Sequence, residues 1–126
     1  MSLKLLLILS GGLETFIGTL ALVSPATVVA VLLGGSVGPI ESVLVRVFGA
    51  GVFALGLACV KARHEAASPA GLAVSVGIAS YNLLAATVLI WAAADLNLGG
   101  LLLTAAGIGH AVLGLLFVSA LAGTRR

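Results

Sequence analysis

The sequence predicts an all-α integral membrane protein, a four-helix up-down-up-down bundle forming a single transmembrane domain over residues 1–126. Three observations lead there. Hydrophobic residues make up 61% of the chain and charged residues 8%, where soluble domains carry roughly 25% charged residues. The apolar residues fall into four blocks, Leu5–Val23, Val43–Val60, Leu72–Ala94 and Leu101–Leu121, each close to the ~20 residues a helix needs to cross the hydrocarbon core. None of the blocks shows the alternating pattern of a membrane barrel. Finally, the lysines and arginines outside the blocks collect on one side of an even-numbered topology.

The first block is preceded by Lys4 and ends at Ser24-Pro25, because the residue before proline disfavours helix and proline cannot continue one. Its start resembles a signal peptide, but Glu14 interrupts the apolar region, so it is expected to stay uncleaved as its own insertion signal. The following apolar segment, 26–35, is too short to span and is expected to form an interfacial or re-entrant cap on the outer face. Ser36–Ser42, with Gly38-Pro39, reads as a turn into the second span. Lys61–Gly71 is the expected cytoplasmic loop, and Asp95–Gly100 a tight outer turn between the third and fourth spans. Lys4, Lys61, Arg63, Arg125 and Arg126 lie on one side, whereas the opposite loops hold Glu41 and Asp95. The positive-inside rule then places both termini in the cytoplasm.

Those cations are dispersed at helix ends without interleaved aromatics, so the basic balance points to orientation in the membrane and not to nucleic acid. Cys59 stands alone. It has no partner for an internal disulfide or a thiol relay, and reads as a small packing residue. Small residues recur at helical spacing in Ala50, Ala54 and Ala58, in Ser10, Gly11, Glu14, Gly18 and Ala21, and in Ala106, His110 and Gly114. Such stripes are expected to be packing seams, since they let backbones approach closely in lipid.

The polar residues inside the spans are the candidate site. Glu14 is nine residues from each end of its block, and Tyr81, Asn82 and His110 are comparably deep, whereas Arg46 lies a few residues below the outer surface. A charge at membrane depth costs about 2.5–3.5 kcal/mol on insertion scales, so these groups are expected to face protein and not lipid. One reading makes Glu14, Arg46, Tyr81, Asn82 and His110 a polar clasp that fixes which helices meet, with Arg46 capping it or snorkelling outward. The other makes them the lining of a small cavity for a lipophilic ligand such as a quinone, isoprenoid or lipid, with a Glu–His pair able to relay protons. Side chains tilt toward the helix N-terminus, which directs Glu14 and Arg46 away from each other. One deep histidine with one deep glutamate falls short of a metal centre, and His64 in a loop leaves no bis-histidine haem site. No cofactor is expected.

Four features together resemble the small four-helix DoxX-like bacterial membrane proteins. They are the first span ending in Leu22-Val23-Ser24-Pro25, the run Arg46–Leu57, the Tyr81-Asn82 pair and His110 in the middle of the fourth span. The resemblance implies the bacterial inner membrane and an accessory role, as in small membrane subunits of quinone-linked oxidoreductases. Function is therefore expected to be that of a non-catalytic scaffold subunit, with other membrane subunits or further copies of the chain as partners. The alternative is a membrane-embedded binder or enzyme acting on a lipophilic small molecule.

Overall fold

Serines, prolines and glycines set the helix ends in this chain, and they place several of them differently from hydropathy alone. A computed structural model describes residues 1–96, 98, 99 and 101–124, with Leu101 described by its backbone only. Helix α1 runs Leu3–Val23, its amide at Leu5 donating to the Ser2 hydroxyl at 3.3 Å. Helix α2 is the short Pro25–Leu33, and α3 is Pro39–Ala62. A 3₁₀ turn at Arg63–Glu65 leads to α4, Pro69–Asp95, and α5 is Leu101–Gly123. Among the described residues there is no strand. Four of the helices are long and apolar enough to cross a membrane.

The expected second and third spans were too short at their beginnings. Residues 39–42 belong to α3 and not to a turn, and 69–71 belong to α4 and not to the connecting loop. The cause is the same in both. Pro39 and Pro69 occupy the first helical turn, where a missing N–H costs nothing and the fixed φ suits the helix. Ser68 adds a cap, accepting from the Gly71 amide at 3.1 Å. The expected cap segment is largely helical as α2 and stops at Gly34, whose φ of 70° is open to glycine without strain. Positions 97 and 100 of the expected outer turn, and Arg125 and Arg126 among the orienting cations, lie outside the described residues.

The bundle is assembled from two tight helix pairs. In the first, Gly11 lies against Gly56 and Gly18 against Gly49, so α1 and α3 run antiparallel. A Cβ built on Gly56 would stand 2.6 Å from the Thr15 backbone nitrogen, and one on Gly49 would stand 3.0 Å from the Gly18 carbonyl oxygen. Four glycines, two per helix and seven residues apart, thus bring the backbones into direct contact. In the second pair Gly107 meets Ile90 and Gly114 meets Leu83, so α4 and α5 are antiparallel as well.

The small-residue stripe expected on the second span is the wrong one. Gly49, Val52, Gly56 and Cys59 are buried, while Ala50 and Ala54 face outward and Ala58 is half-buried. Backbone-to-backbone packing favours the residue with no side chain over the one with a methyl. The stripes expected on α1 and α5 do face protein, with Ser10, Gly11, Glu14, Gly18, Ala21 and Gly114 buried.

The pairs meet through fewer contacts, chiefly α3 with α4 and α1 with α5. At one end a cluster drawn from all four long helices joins them: Leu3, Leu6 and Leu7, Cys59, Ile78 with Ala79, and Phe117. At the other end the Gly99 amide donates to the Leu33 carbonyl at 2.9 Å, tying the end of α2 to the chain between α4 and α5. Gly99 has φ 69°, and a Cβ there would stand 2.6 Å from the Leu32 carbonyl oxygen.

Candidate functional site

Just beyond that apolar cluster the interior turns polar. Each polar side chain is placed there by its own helix's seam. Glu14 is 1% exposed, and Ser10 and Asn82 are fully buried. Ser10 and Glu14 are one turn apart on the same face of α1, whose buried residues also include Gly11 and Gly18 of the glycine seam. Asn82 is on the buried face of α4 with Ser75, Ile78, Ala79 and Ala86.

Asn82 ties its own helix to the neighbouring one. Its Nδ2 donates to the Ile78 carbonyl at 2.8 Å, which leaves Oδ1 to accept from His110 Nδ1, also at 2.8 Å. An amide oxygen only accepts, so this bond requires the His110 proton on Nδ1. Tyr81 meets the His110 ring edge to face, with centroids 5.6 Å apart and planes at 87°. That is a favourable geometry for aromatic pairs. The Tyr81 hydroxyl faces the Glu14 carboxyl across the gap between the helix pairs. The structure thus brings Tyr81, Asn82 and His110 into one contiguous group and joins Glu14 to it through Tyr81.

Arg46 is elsewhere. It is exposed, and its Nη1 donates to the Leu22 carbonyl near the end of α1. Leu22 is about 12 Å along the helix from Glu14 at 1.5 Å per residue. Arg46 therefore satisfies one of the free carbonyls that end α1 and takes no part in the polar group. Arg46→Met is expected to change unfolding free energy by under about 1 kcal/mol, as exposed substitutions do. Thermal unfolding in mild detergent measures this, and a loss of several kcal/mol would show that Arg46 supports the buried polar group after all.

Among the described residues, two buried oxygens have no hydrogen-bond partner, Glu14 Oε1 and Ser10 Oγ. Other hydroxyls in the helices find one: Thr15 donates to Gly11 at 2.7 Å, Ser75 to Gly71 at 2.8 Å and Thr87 to Leu83 at 2.9 Å. Buried polar atoms are nearly always satisfied, so each exception calls for an explanation. Ser10 is the member of the group that sequence reading left among packing residues. Its position four residues before Glu14 was the available signal. Cys59, fully buried in the apolar cluster, sits on the α3 side of the same carboxyl.

Two surface grooves lie away from these residues. One, of about 560 Å³, runs between the start of α1 and the end of α5, past Leu3, Lys4, Leu116 and Ser119. The other, of about 500 Å³, follows α4 and α5 past Leu83, Thr87, Trp91 and Leu115. Neither is lined by Glu14, Asn82 or His110. Among the described residues no three His, Cys, Asp or Glu side chains converge as metal ligands. Chemically, the group offers a side-chain hydrogen bond between α4 and α5 and, on α1, a buried carboxyl and hydroxyl with unused hydrogen-bonding capacity. Compared with family models, curated proteins and solved structures, the chain matches none.

Proposed function

We propose that this chain is a small, non-catalytic membrane subunit that works within a larger assembly, with four spans alternating in direction and both termini in the cytoplasm. The orientation rests on charge. The antiparallel pairing of α1 and α3 puts Lys4 at the same end as Lys61 and Arg63, while Glu41 and Asp95 open and close helices at other ends. The DoxX-like resemblance supports the accessory role and the bacterial inner membrane.

The observation that carries the reading is the outward stripe of Ala50, Gly51 and Ala54 on α3. A Cβ on Gly51 would meet nothing within 4 Å. Small residues are the usual contact surface between helices in lipid, and this stripe is left uncovered by the chain's own bundle, flanked by exposed Val47, Phe48 and Leu57. Its use is to receive a neighbouring helix. Purified in mild detergent, the chain is expected to run above its monomer mass of 12.4 kDa of protein, and Ala50→Leu with Ala54→Leu is expected to reduce it to a folded monomer. A wild-type chain that is monomeric and brings down no other subunit would refute the proposal.

A second reading, a binder of a lipophilic small molecule, is favoured by the two unsatisfied oxygens at Glu14 and Ser10. Native mass spectrometry of protein extracted from membranes separates the two, because a binder releases a defined small molecule on activation.

A further inference from the structure

We infer that the groove between the start of α1 and the end of α5 binds one anionic phospholipid, with the phosphate at Lys4 and an acyl chain along Leu116. Charge complementarity is the first argument. Lys4 lines this groove, and among the described residues no Asp or Glu does. The groove along α4 and α5 has the opposite character, for Asp95 lines it and no Lys or Arg does. One groove therefore attracts an anion and the other repels it. The surroundings agree. Lys61 and Arg63 stand at the same end of the bundle as Lys4, and Glu65 is the one carboxylate beside them among the described residues. Basic pockets between spanning helices are where anionic head groups bind.

The second argument is the order of the lining with depth. Ser2 and Lys4 stand at the start of α1, and Thr124 follows the end of α5. From Thr124 the α5 wall passes Ser119 and reaches Leu116 about 12 Å further in, at ~1.5 Å per residue. Polar groups thus mark the mouth, and a half-buried leucine the inner end. The mouth also holds donors, which a phosphate diester needs. The Lys4 ammonium has three N–H groups and no acceptor. The Ser2 hydroxyl oxygen accepts from the Leu5 amide at 3.3 Å, which leaves its proton free to donate outward. Thr124 gives its own proton to the Leu121 carbonyl at 2.8 Å and has none for an anion.

Size points to a lipid and not to a free anion. The groove measures about 560 Å³, whereas a water molecule takes up about 30 Å³. Inorganic phosphate would fill the mouth and leave the wall toward Leu116 bare. The groove lies away from Glu14 and Ser10, so the inference stands apart from both readings of function above.

Native mass spectrometry of the full chain in detergent tests it, with phosphatidylglycerol and phosphatidylcholine of equal chain length titrated in separately. Wild type is expected to retain one phosphatidylglycerol, more tightly than phosphatidylcholine. Lys4→Gln is expected to weaken that retention ~5-fold, the contribution of one cation near the membrane surface. Lys61→Gln, at the same end but outside the groove, is expected to leave it unchanged. Ser119→Leu, a substitution at an exposed position, fills the groove and is expected to abolish retention while circular dichroism shows the helices intact. Trp91, the one tryptophan of the chain, lines the other groove. Brominated phosphatidylglycerol is therefore expected to quench its fluorescence no more than brominated phosphatidylcholine does. The inference is overturned if wild type holds the two lipids equally, if Lys4→Gln and Lys61→Gln weaken retention alike, or if Ser119→Leu leaves it unchanged. It is also overturned if inorganic phosphate displaces the lipid, or if the anionic lipid quenches Trp91 the more strongly.

Discussion

Gly18→Ala is expected to separate α1 from α3, while Gly12→Ala, six residues earlier on the same helix, is expected to leave the protein unchanged. The added methyl at position 18 would stand 2.7 Å from the Phe53 Cα and 2.8 Å from the Gly49 carbonyl oxygen. Both are backbone atoms, which have no rotamer to turn away, so the helices themselves must move apart. Overpacking typically costs 1–3 kcal/mol, and a backbone collision on the central seam belongs at the upper end of about 3 kcal/mol. Gly56→Ala meets the Thr15 nitrogen and the Gly11 carbonyl oxygen and is expected to do the same. At Gly12 and Gly51 an added Cβ meets nothing within 4 Å. Gly114→Ala should fall between the extremes, because the atoms it strikes first are the flexible tip of Leu83. Titration of the folded protein with a denaturing detergent measures all five, and equal effects at Gly12 and Gly18 would sink the account of the seam.

Removing Asn82 is expected to cost about 1–3 kcal/mol, the usual penalty for stranding a buried partner, here the His110 Nδ1–H. Replacing both residues, as Asn82→Leu with His110→Phe, is expected to cost less than the two single changes together. Hydrogen bonds between membrane helices average about 0.6 kcal/mol and reach about 1.7 kcal/mol. The double-mutant cycle should therefore return a coupling within that range, read by the same titration. A coupling of zero would mean that the 2.8 Å bond between the Asn82 amide of α4 and the His110 ring of α5 contributes nothing to holding those helices together.

Some of this was legible in the amino-acid order and some was not, for reasons that can be named. The four long helices follow from block length, since in lipid every backbone group has to be satisfied within its own segment. The depth of Glu14, Tyr81, Asn82 and His110 follows from counting residues along a helix of fixed rise. Rotation about each helix axis is harder to read, because a lipid-facing side is as apolar as a protein-facing one. On α3 that left two stripes, Ala50–Ala54–Ala58 and Gly49–Gly56, with nothing in hydropathy to choose between them. Counting depth alone also placed Glu14, Asn82 and His110 at one level without revealing that Asn82 bonds His110 and that Tyr81 stands between that pair and Glu14. Arg46 was ambiguous because a long side chain near a helix end can reach a head group, a carboxylate or a carbonyl, and the Leu22 carbonyl is the acceptor it meets.

The bond from the Gly99 amide to the Leu33 carbonyl also bears on how the protein is made. Its two ends are 66 residues apart in the chain. At synthesis rates of ~5–20 residues per second, roughly 3–13 s separate the emergence of one from that of the other. The glycine contacts of α1 and α3 are available within that interval, since α3 ends at Ala62. The first pair can therefore close while α4 and α5 are still being translated, and α2 waits untethered at its margin. The Gly99 bond becomes available only after α4 has emerged. It belongs to the later half of assembly and follows the closing of the first pair.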